Sequence, residues 1–160
     1  MRPAGVADHR VILALWNPLI RETTITFSSE EKTEDSLTAM IEGRRALGHE
    51  FFVACEGADL LGFASYAQFR SGNGYAQAME HTIILAASAR GRGVGRALMS
   101  RVADHARAGG AHTLFAGVSA ENPEAVRFHQ AMGFQTLSRI PEAGRKFGRW
   151  LDLILMMKFL

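Results

Sequence analysis

The stretch from Met79 to Ala106 constrains the fold more than any other part of the chain. An apolar run, Met79 to Ala87, leads into Ala89-Arg-Gly-Arg-Gly-Val-Gly-Arg96. A helical pattern follows, with Val94, Leu98, Val102 and Ala106 at four-residue spacing, and ends at Gly109-Gly110. A strand joined by a short turn to a helix with one apolar stripe must bury that stripe against the sheet that holds the strand. The turn places three of the sixteen glycines within five positions. Glycines let backbone approach a ligand closely, and a helix N-terminus adds unpaired N–H donors and a partial positive charge. The segment therefore reads either as an anion cradle or as a tight turn whose arginines are solvated. It is not a phosphate-binding P-loop, because no G-x-x-x-x-G-K-S/T string occurs. Nor is it a dinucleotide fingerprint, because Arg96 stands where that pattern needs its third glycine.

Around this unit the pattern alternates without a linker or repeat, so residues 1–160 are expected to form one domain. Helices are predicted over Asp8–Trp16 and Glu34–Leu47, the second with Leu37, Met40, Ile41 and Arg44 on one face. Strands are predicted over Glu50–Glu56 and Leu60–Phe69, joined by Gly57-Ala58-Asp59, then Met79–Ala87 and His112–Val118. Asn122-Pro123 reads as an N-cap with proline at the first helical position, and Gly133 closes that helix. Two last strands, Phe134–Ile140 and Trp150–Met157, flank a Gly- and Arg-rich turn. The expected class is α+β, a three-layer α/β arrangement with a mixed twisted sheet flanked by about four helices.

Charge narrows the function classes. Residues 1–80 carry 7 basic and 11 acidic side chains, and residues 81–160 carry 11 and 5, so the second half is the place to seek an anionic ligand. Fifteen of the eighteen basic residues are arginine, whose planar fork suits phosphate oxygens. The net charge of only +2, with no aromatic residue in the Gly/Arg turn, argues against nucleic acid. The longest apolar runs, Val11–Trp16 and Phe51–Cys55, fall far short of the ~18–20 residues a spanning helix needs, so no membrane partner is expected. The lone Cys55 cannot form an internal bridge and sits in an apolar run, which suits a reducing, cytoplasmic setting. No metal is expected.

Arg90-x-x-Gly93-x-Gly95 after a strand, followed by Asn122-Pro-Glu-Ala-Val-Arg-Phe-His-Gln-Ala-Met-Gly-Phe134, resembles the acetyl-CoA-binding core of the GNAT N-acetyltransferases. Met79-Glu-His-Thr-Ile-Ile84, Phe128-His129 and Gly144-Arg-Lys-Phe-Gly-Arg-Trp-Leu-Asp152 resemble its phosphinothricin and methionine sulfoximine acetyltransferase branch. The resemblance implies acetyl-CoA as cofactor, with the pantetheine arm along Leu85, Ala86 and Ala87. The pyrophosphate is expected on Arg90, Gly91, Arg92, Gly93, Val94, Gly95, Arg96, Ala97 and Leu98. Asn122 has two compatible roles, capping its helix and, as the resemblance implies, touching the cofactor. The branch also implies a homodimer.

Transfer to an amine needs the amine neutral. At pH 7 deprotonation costs about 1 kcal/mol for an α-amine and about 4.6 kcal/mol for a lysine-like one, so a positioned base is expected. Glu80 matches the branch's catalytic glutamate, acting through water; without that match it reads as a strand-end carboxylate. His129 lies on the apolar face of its helix and by position alone reads as a core histidine. The resemblance makes it the general acid, or a partner of Glu80. The other histidines, His9, His49, His81, His105 and His112, read as surface or local. For a zwitterionic acceptor, Phe27, Arg70, Tyr75, Ala76, Gln77 and Lys146 occupy the substrate positions. Ala76 stands where the branch usually carries arginine, which leaves the carboxylate without its expected partner; Lys146, Arg145 or Arg149 are candidates to replace it. The expected activity is acetyl transfer from acetyl-CoA to the primary amine of a small amino-acid-like molecule. A non-catalytic acyl-CoA sensor and an enzyme acting on protein amines are the alternatives.

Overall fold

Residues 51–54 show how the sheet divides the core in two. Phe51 and Val53 are buried on one face, Phe52 and Ala54 on the other, as the two-residue side-chain period of a strand requires. The computed structural model describes all residues, 1–160. Its strands are β1 (Arg2–Pro3), β2 (Phe51–Glu56), β3 (Asp59–Gln68), β4 (Ala78–Leu85), β5 (Thr113–Ser119), β6 (Gln135–Lys146) and β7 (Arg149–Phe159). Its helices are α1 (His9–Glu22), α2 (Glu34–Ala46), α3 (Val94–Ala108) and α4 (Pro123–Ala131). One sheet runs β1-β2-β3-β4-β5-β7-β6, antiparallel throughout except at β4–β5.

On one face α1 and α2 bury Ile12, Trp16, Ile20, Leu37 and Ile41 against Phe51, Val53, Phe63 and Ile84. On the other, α3 buries Leu98, Met99, Val102 and Ala106 against Phe52, Tyr66, Leu114 and Met156. Each fully buried aliphatic side chain of this kind contributes about 1.5–3 kcal/mol relative to exposure. The α2 start is set by a reciprocal cap, in which Ser36 N donates to Thr33 Oγ1 at 3.1 Å and Thr33 N donates to Ser36 Oγ at 2.9 Å. None of the helices is long and apolar enough to cross a membrane.

The parallel β4–β5 pair sets up the site. Its register covers only Ala78↔Thr113, Met79↔Leu114 and Glu80↔Phe115. Beyond Glu80, β4 stays on β3 as far as Leu85↔Gly62, and β5 stays on β7 as far as Ser119↔Leu153. A wedge therefore opens between two central strands. Ala86 N donates to Leu61 O on β3 at 2.9 Å, so by strand alternation the neighbouring backbone polar groups of Leu85 face the wedge.

Two expectations need correction, and one element was not among them. Helix α1 does not stop at Trp16 but continues through Pro18 to Glu22. A two-residue strand at Arg2–Pro3 joins the sheet edge. Strand β6 does not stop at Ile140: it runs to Lys146, absorbing two register shifts, and the turn shrinks to Phe147-Gly148. Both turn residues have positive φ, 51° and 76°, the conformation of a tight two-residue hairpin.

Candidate active site

The glycine turn leaves backbone donors without partners at a helix N-terminus. Gly93 caps α3 with φ of +76°, a left-handed conformation that a side chain would strain, and no side chain caps the helix. The N–H groups of Gly91 and Gly93 have no backbone acceptor, and those of Val94, Gly95 and Arg96 lie in the first helical turn, ahead of the first Ala97 N–H···O=C Gly93 bond. Five backbone donors thus converge on one helix N-terminus. They border a groove of about 170 Å³ lined by Leu85, Arg90, Gly95, Arg96, Phe128 and Met132 among others. At Gly95 a Cβ would come 2.8 Å from Leu85 Cδ1 and 3.2 Å from Phe128 Cε2, so glycine lets helix, strand and α4 meet here.

Not every residue expected in this cradle takes part. Ala97 N is spent on Gly93 O, so it offers no free donor, and the Leu98 side chain is fully buried in the core. Arg92 pairs with Glu56 at 2.8 Å and Arg90 approaches Glu124 at 3.7 Å, both at the exposed rim. Asn122 accepts a hydrogen bond from Ala125 N at 3.1 Å, which is the helix-capping role.

Glu80 and His129 lie on opposite faces of the sheet. In β4 the residues Met79, Ile83 and Leu85 face α3, as His81 does, whereas Ile84 and, by alternation, Glu80 face the α1/α2 side. The Glu80 carboxylate reaches across the wedge to Gly117 of β5, where a Cβ would stand 3.1 Å from Oε1. Burial pushes its carboxyl pKa up, and the Arg44 guanidinium on α2 opposes that shift. Phe115, beside Glu80 in the register, stacks on Phe69 with centroids 4.1 Å apart, forming an aromatic floor next to the carboxylate. A carboxylate held part-dry with a raised pKa is a stronger base than one in water.

His129, 4% exposed, points away from Glu80 and into the α3/α4 side. Its Nδ1 lies 2.6 Å from the Ala125 carbonyl oxygen, and its Nε2 lies 3.1 Å from Nε2 of His81. Burial lowers the pKa of both imidazoles. The hydrogen bonds of His129 thus go to Ala125 and His81, and none joins it to Glu80. His81, expected to be surface or local, is instead 8% exposed. The two-residue alternation with Met79 and Ile83 is the sequence signal that could have found it.

The expected substrate positions fall into two groups at opposite ends of the sheet. Arg70 stacks over Tyr75 at 5.5 Å in the exposed β3–β4 turn, which Gln68 Nε2 braces by donating to Arg70 O and Gly72 O. Ala76 ends that turn, and Gln77 O accepts from His112 N at 2.8 Å, anchoring it beside the start of β5. Phe27 and Lys146 meet at the other end, beyond the β6–β7 hairpin. The Phe27 ring lies so close over Gly144 that a Cβ there would be 2.2 Å from it. Lys146 is not free for a carboxylate: it is 4% exposed and its Nζ donates to Thr26 O at 2.7 Å, clasping the α1–α2 loop. Arg149 pairs with Glu121 through both guanidinium nitrogens, and Arg145 stacks on Trp150 at 5.4 Å. Both lie at the β6–β7 hairpin rather than beside Ala76. The cation near Glu80 is Arg44, whose Nη1 is buried without a partner. Its place on the apolar face of α2 was its only sequence signal.

Residues 15–134 match the acetyltransferase (GNAT) family. The chain belongs to that family. This acetyltransferase is 34% identical over 156 residues to an L-methionine sulfoximine/L-methionine sulfone acetyltransferase of Salmonella typhimurium, covering 98% of the chain and 91% of the relative. It is 33% identical to an L-amino acid N-acyltransferase of Escherichia coli, with the same coverages. A phosphinothricin N-acetyltransferase of Streptomyces coelicolor is 32% identical, covering 96% and 91%. Among solved structures, an acetyltransferase from Salmonella typhimurium with its cofactor acetyl-CoA superposes with a TM-score of 0.94 at 34% identity, covering 99% of this chain and 92% of that one. A ribosomal-protein-alanine N-acetyltransferase from Brucella melitensis superposes with the same score at 33% identity, covering 99% and 98%. The acetyltransferase fold is thus shared over essentially the whole chain, wedge and cradle included.

Proposed function

We propose that this acetyltransferase carries the acetyl group of acetyl-CoA to the primary amine of a small amino-acid-like molecule by direct attack. The observation that carries this reading is the half-buried Glu80 carboxylate at the β4–β5 wedge, whose other end opens on five unpaired N–H donors. The residues fit the co-substrate: the donors at Gly91–Arg96 suit a pyrophosphate, and the wedge-facing polar groups of Leu85 suit an amide-bearing arm. Acetyl-CoA supplies an activated acetyl thioester. Glu80 takes the ammonium proton, directly or through water, which for an α-amine at pH 7 needs only about 1 kcal/mol. His129, on the far side of the sheet, gives a proton to the departing sulfur after it has taken one up. No cysteine is needed as acyl carrier, and Cys55 lies half-buried on β2.

The similarities to enzymes acting on methionine sulfoximine, phosphinothricin and L-amino acids support a small zwitterionic acceptor; that the whole chain works as one domain and as a cytoplasmic homodimer is part of the same proposal, carried by the branch resemblance of the sequence. The Brucella likeness favours a second reading, a protein N-terminal alanine as acceptor. Steady CoA release from acetyl-CoA with free amino acids, alongside mass spectrometry of a treated lysate, separates the two. Acetylated small molecules support the first reading. Acetylated protein termini alone overturn it, and no turnover with any amine leaves only an acyl-CoA sensor.

A further inference from the structure

The two imidazoles on the cofactor-helix side have one consistent pattern of protons. A carbonyl oxygen only accepts, so the 2.6 Å contact with Ala125 O fixes a proton on Nδ1 of His129. Burial keeps that ring neutral, which leaves its Nε2 as a bare lone pair. The 3.1 Å contact between the two Nε2 atoms then requires the proton to sit on His81, which donates. His81 in turn is neutral with a bare Nδ1, the buried nitrogen that has no partner. The ring planes lie 23° from parallel with centroids 5.0 Å apart, and Phe134 meets both rings edge-on.

The groups around the pair do not disturb this assignment. Lys158 on β7 is the charged side chain that bears on it, and its Nζ sits over the Phe134 ring at 5.5 Å. Tyr66, opposite His81 on β3, keeps its hydroxyl on His105 Nδ1 at 2.7 Å. No carboxylate is available to stabilise an added proton.

We propose that His81 is a positioning residue for His129, donating to its Nε2 and so holding the ring in the Nδ1–H tautomer. This rests on the reading of His129 as a participant in acetyl transfer. A ring held this way has no proton to give from Nε2, and its lone pair there is engaged by His81, so His129 takes up a proton in the reaction only as that hydrogen bond yields. Removing the His81 donor withdraws a hydrogen bond that favours the neutral ring, and the His129 pKa rises.

The test has a direct arm and a kinetic arm. Long-range 1H–15N correlation on histidine-labelled protein at neutral pH is expected to show His129 protonated at Nδ1 and bare at Nε2, and His81 the reverse. An Nε2–H tautomer or an imidazolium at His129 overturns the proposal. In the kinetic arm, His81→Leu is expected to lower kcat about three- to tenfold, the worth of one hydrogen bond, with KM for acetyl-CoA unchanged. The acid limb of its kcat profile is expected to move up by about half to one pH unit. His81→Gln, whose amide can still donate, is expected to restore both. A His81→Leu enzyme with wild-type rate and profile overturns the proposal while leaving His129 in place. Full activity in His129→Phe overturns the role of His129 itself, and the proposal with it.

Discussion

Gly117→Ala tests the placement of Glu80 with stability and activity moving in different directions. The new Cβ would stand 3.1 Å from Glu80 Oε1 and 3.5 Å from Leu153 Cδ1. Gly117 has no positive φ, so the backbone accepts alanine without strain. Glycine to alanine at such a position stabilises by about 0.4–1 kcal/mol through the unfolded chain. In a chain of this length that is a Tm gain of up to about 4 °C, from which the tight contact subtracts. The carboxylate is the tip of a flexible side chain and can retreat by a few tenths of an ångström at little cost. Catalysis does not tolerate that retreat equally well, because a misplacement of ~1 Å can cost ~10²-fold, so a fall in kcat of about three- to tenfold is expected. Gly117→Val, which fills the space, is expected to approach the loss seen on removing the base. Thermal denaturation and steady CoA release give the two readouts. An alanine variant that unfolds well below the wild type, or that keeps its full kcat, refutes the reasoning.

Glu80→Gln is expected to lower kcat by about 10²–10⁴-fold with KM for acetyl-CoA unchanged, and part of the rate should return at high pH where the amine is already neutral. Arg44→Met removes the cation that opposes the burial of Glu80, so the Glu80 carboxyl pKa rises further and the acid limb of kcat/KM moves to higher pH; an unmoved limb would show that Arg44 does not act on Glu80. Asp8 accepts from Arg2 at 2.6 and 2.8 Å and from Gly5 N at 2.7 Å, and the Arg2 pairing holds its carboxyl below the ordinary 3.8. That stabilisation is present above pH 3.8 and is lost as pH falls through the lower folded value, so denaturation curves of wild type and Asp8→Asn should converge in acid and separate at neutral pH.

How the sequence and the structure correspond is clearest at particular residues. The strand, glycine turn and helix from Met79 to Ala106 announce themselves because each carries its own period, and the Asn122-Pro123 cap because its residues have a fixed local role. Arg2–Pro3 left no trace, since a two-residue strand has no periodicity and forms only because β2 offers it an edge. Pro18 is a residue that helix interiors disfavour, yet burial of Ile20 beyond it draws α1 on to Glu22. The long β6 was hidden by Pro141, Gly144 and its two register shifts, which break alternation. At the site, the cradle and Glu80 were readable from motif and context. The sequestering of Lys146 and the His81–His129 contact depend on residues 120 and 48 positions apart, which no local pattern reports.

The central claim is acetyl transfer to a small zwitterionic amine at the Glu80 wedge. Its most direct test is CoA release from acetyl-CoA over a panel of free L-amino acids and their sulfoximine, sulfone and phosphinic analogues, run with wild type and Glu80→Gln side by side. The account predicts turnover of at least one such amine by the wild type, with an N-acetylated product and a loss of about 10²-fold or more in the variant. Turnover that is equal in both proteins, or no acetylated product from any member of the panel, would contradict it.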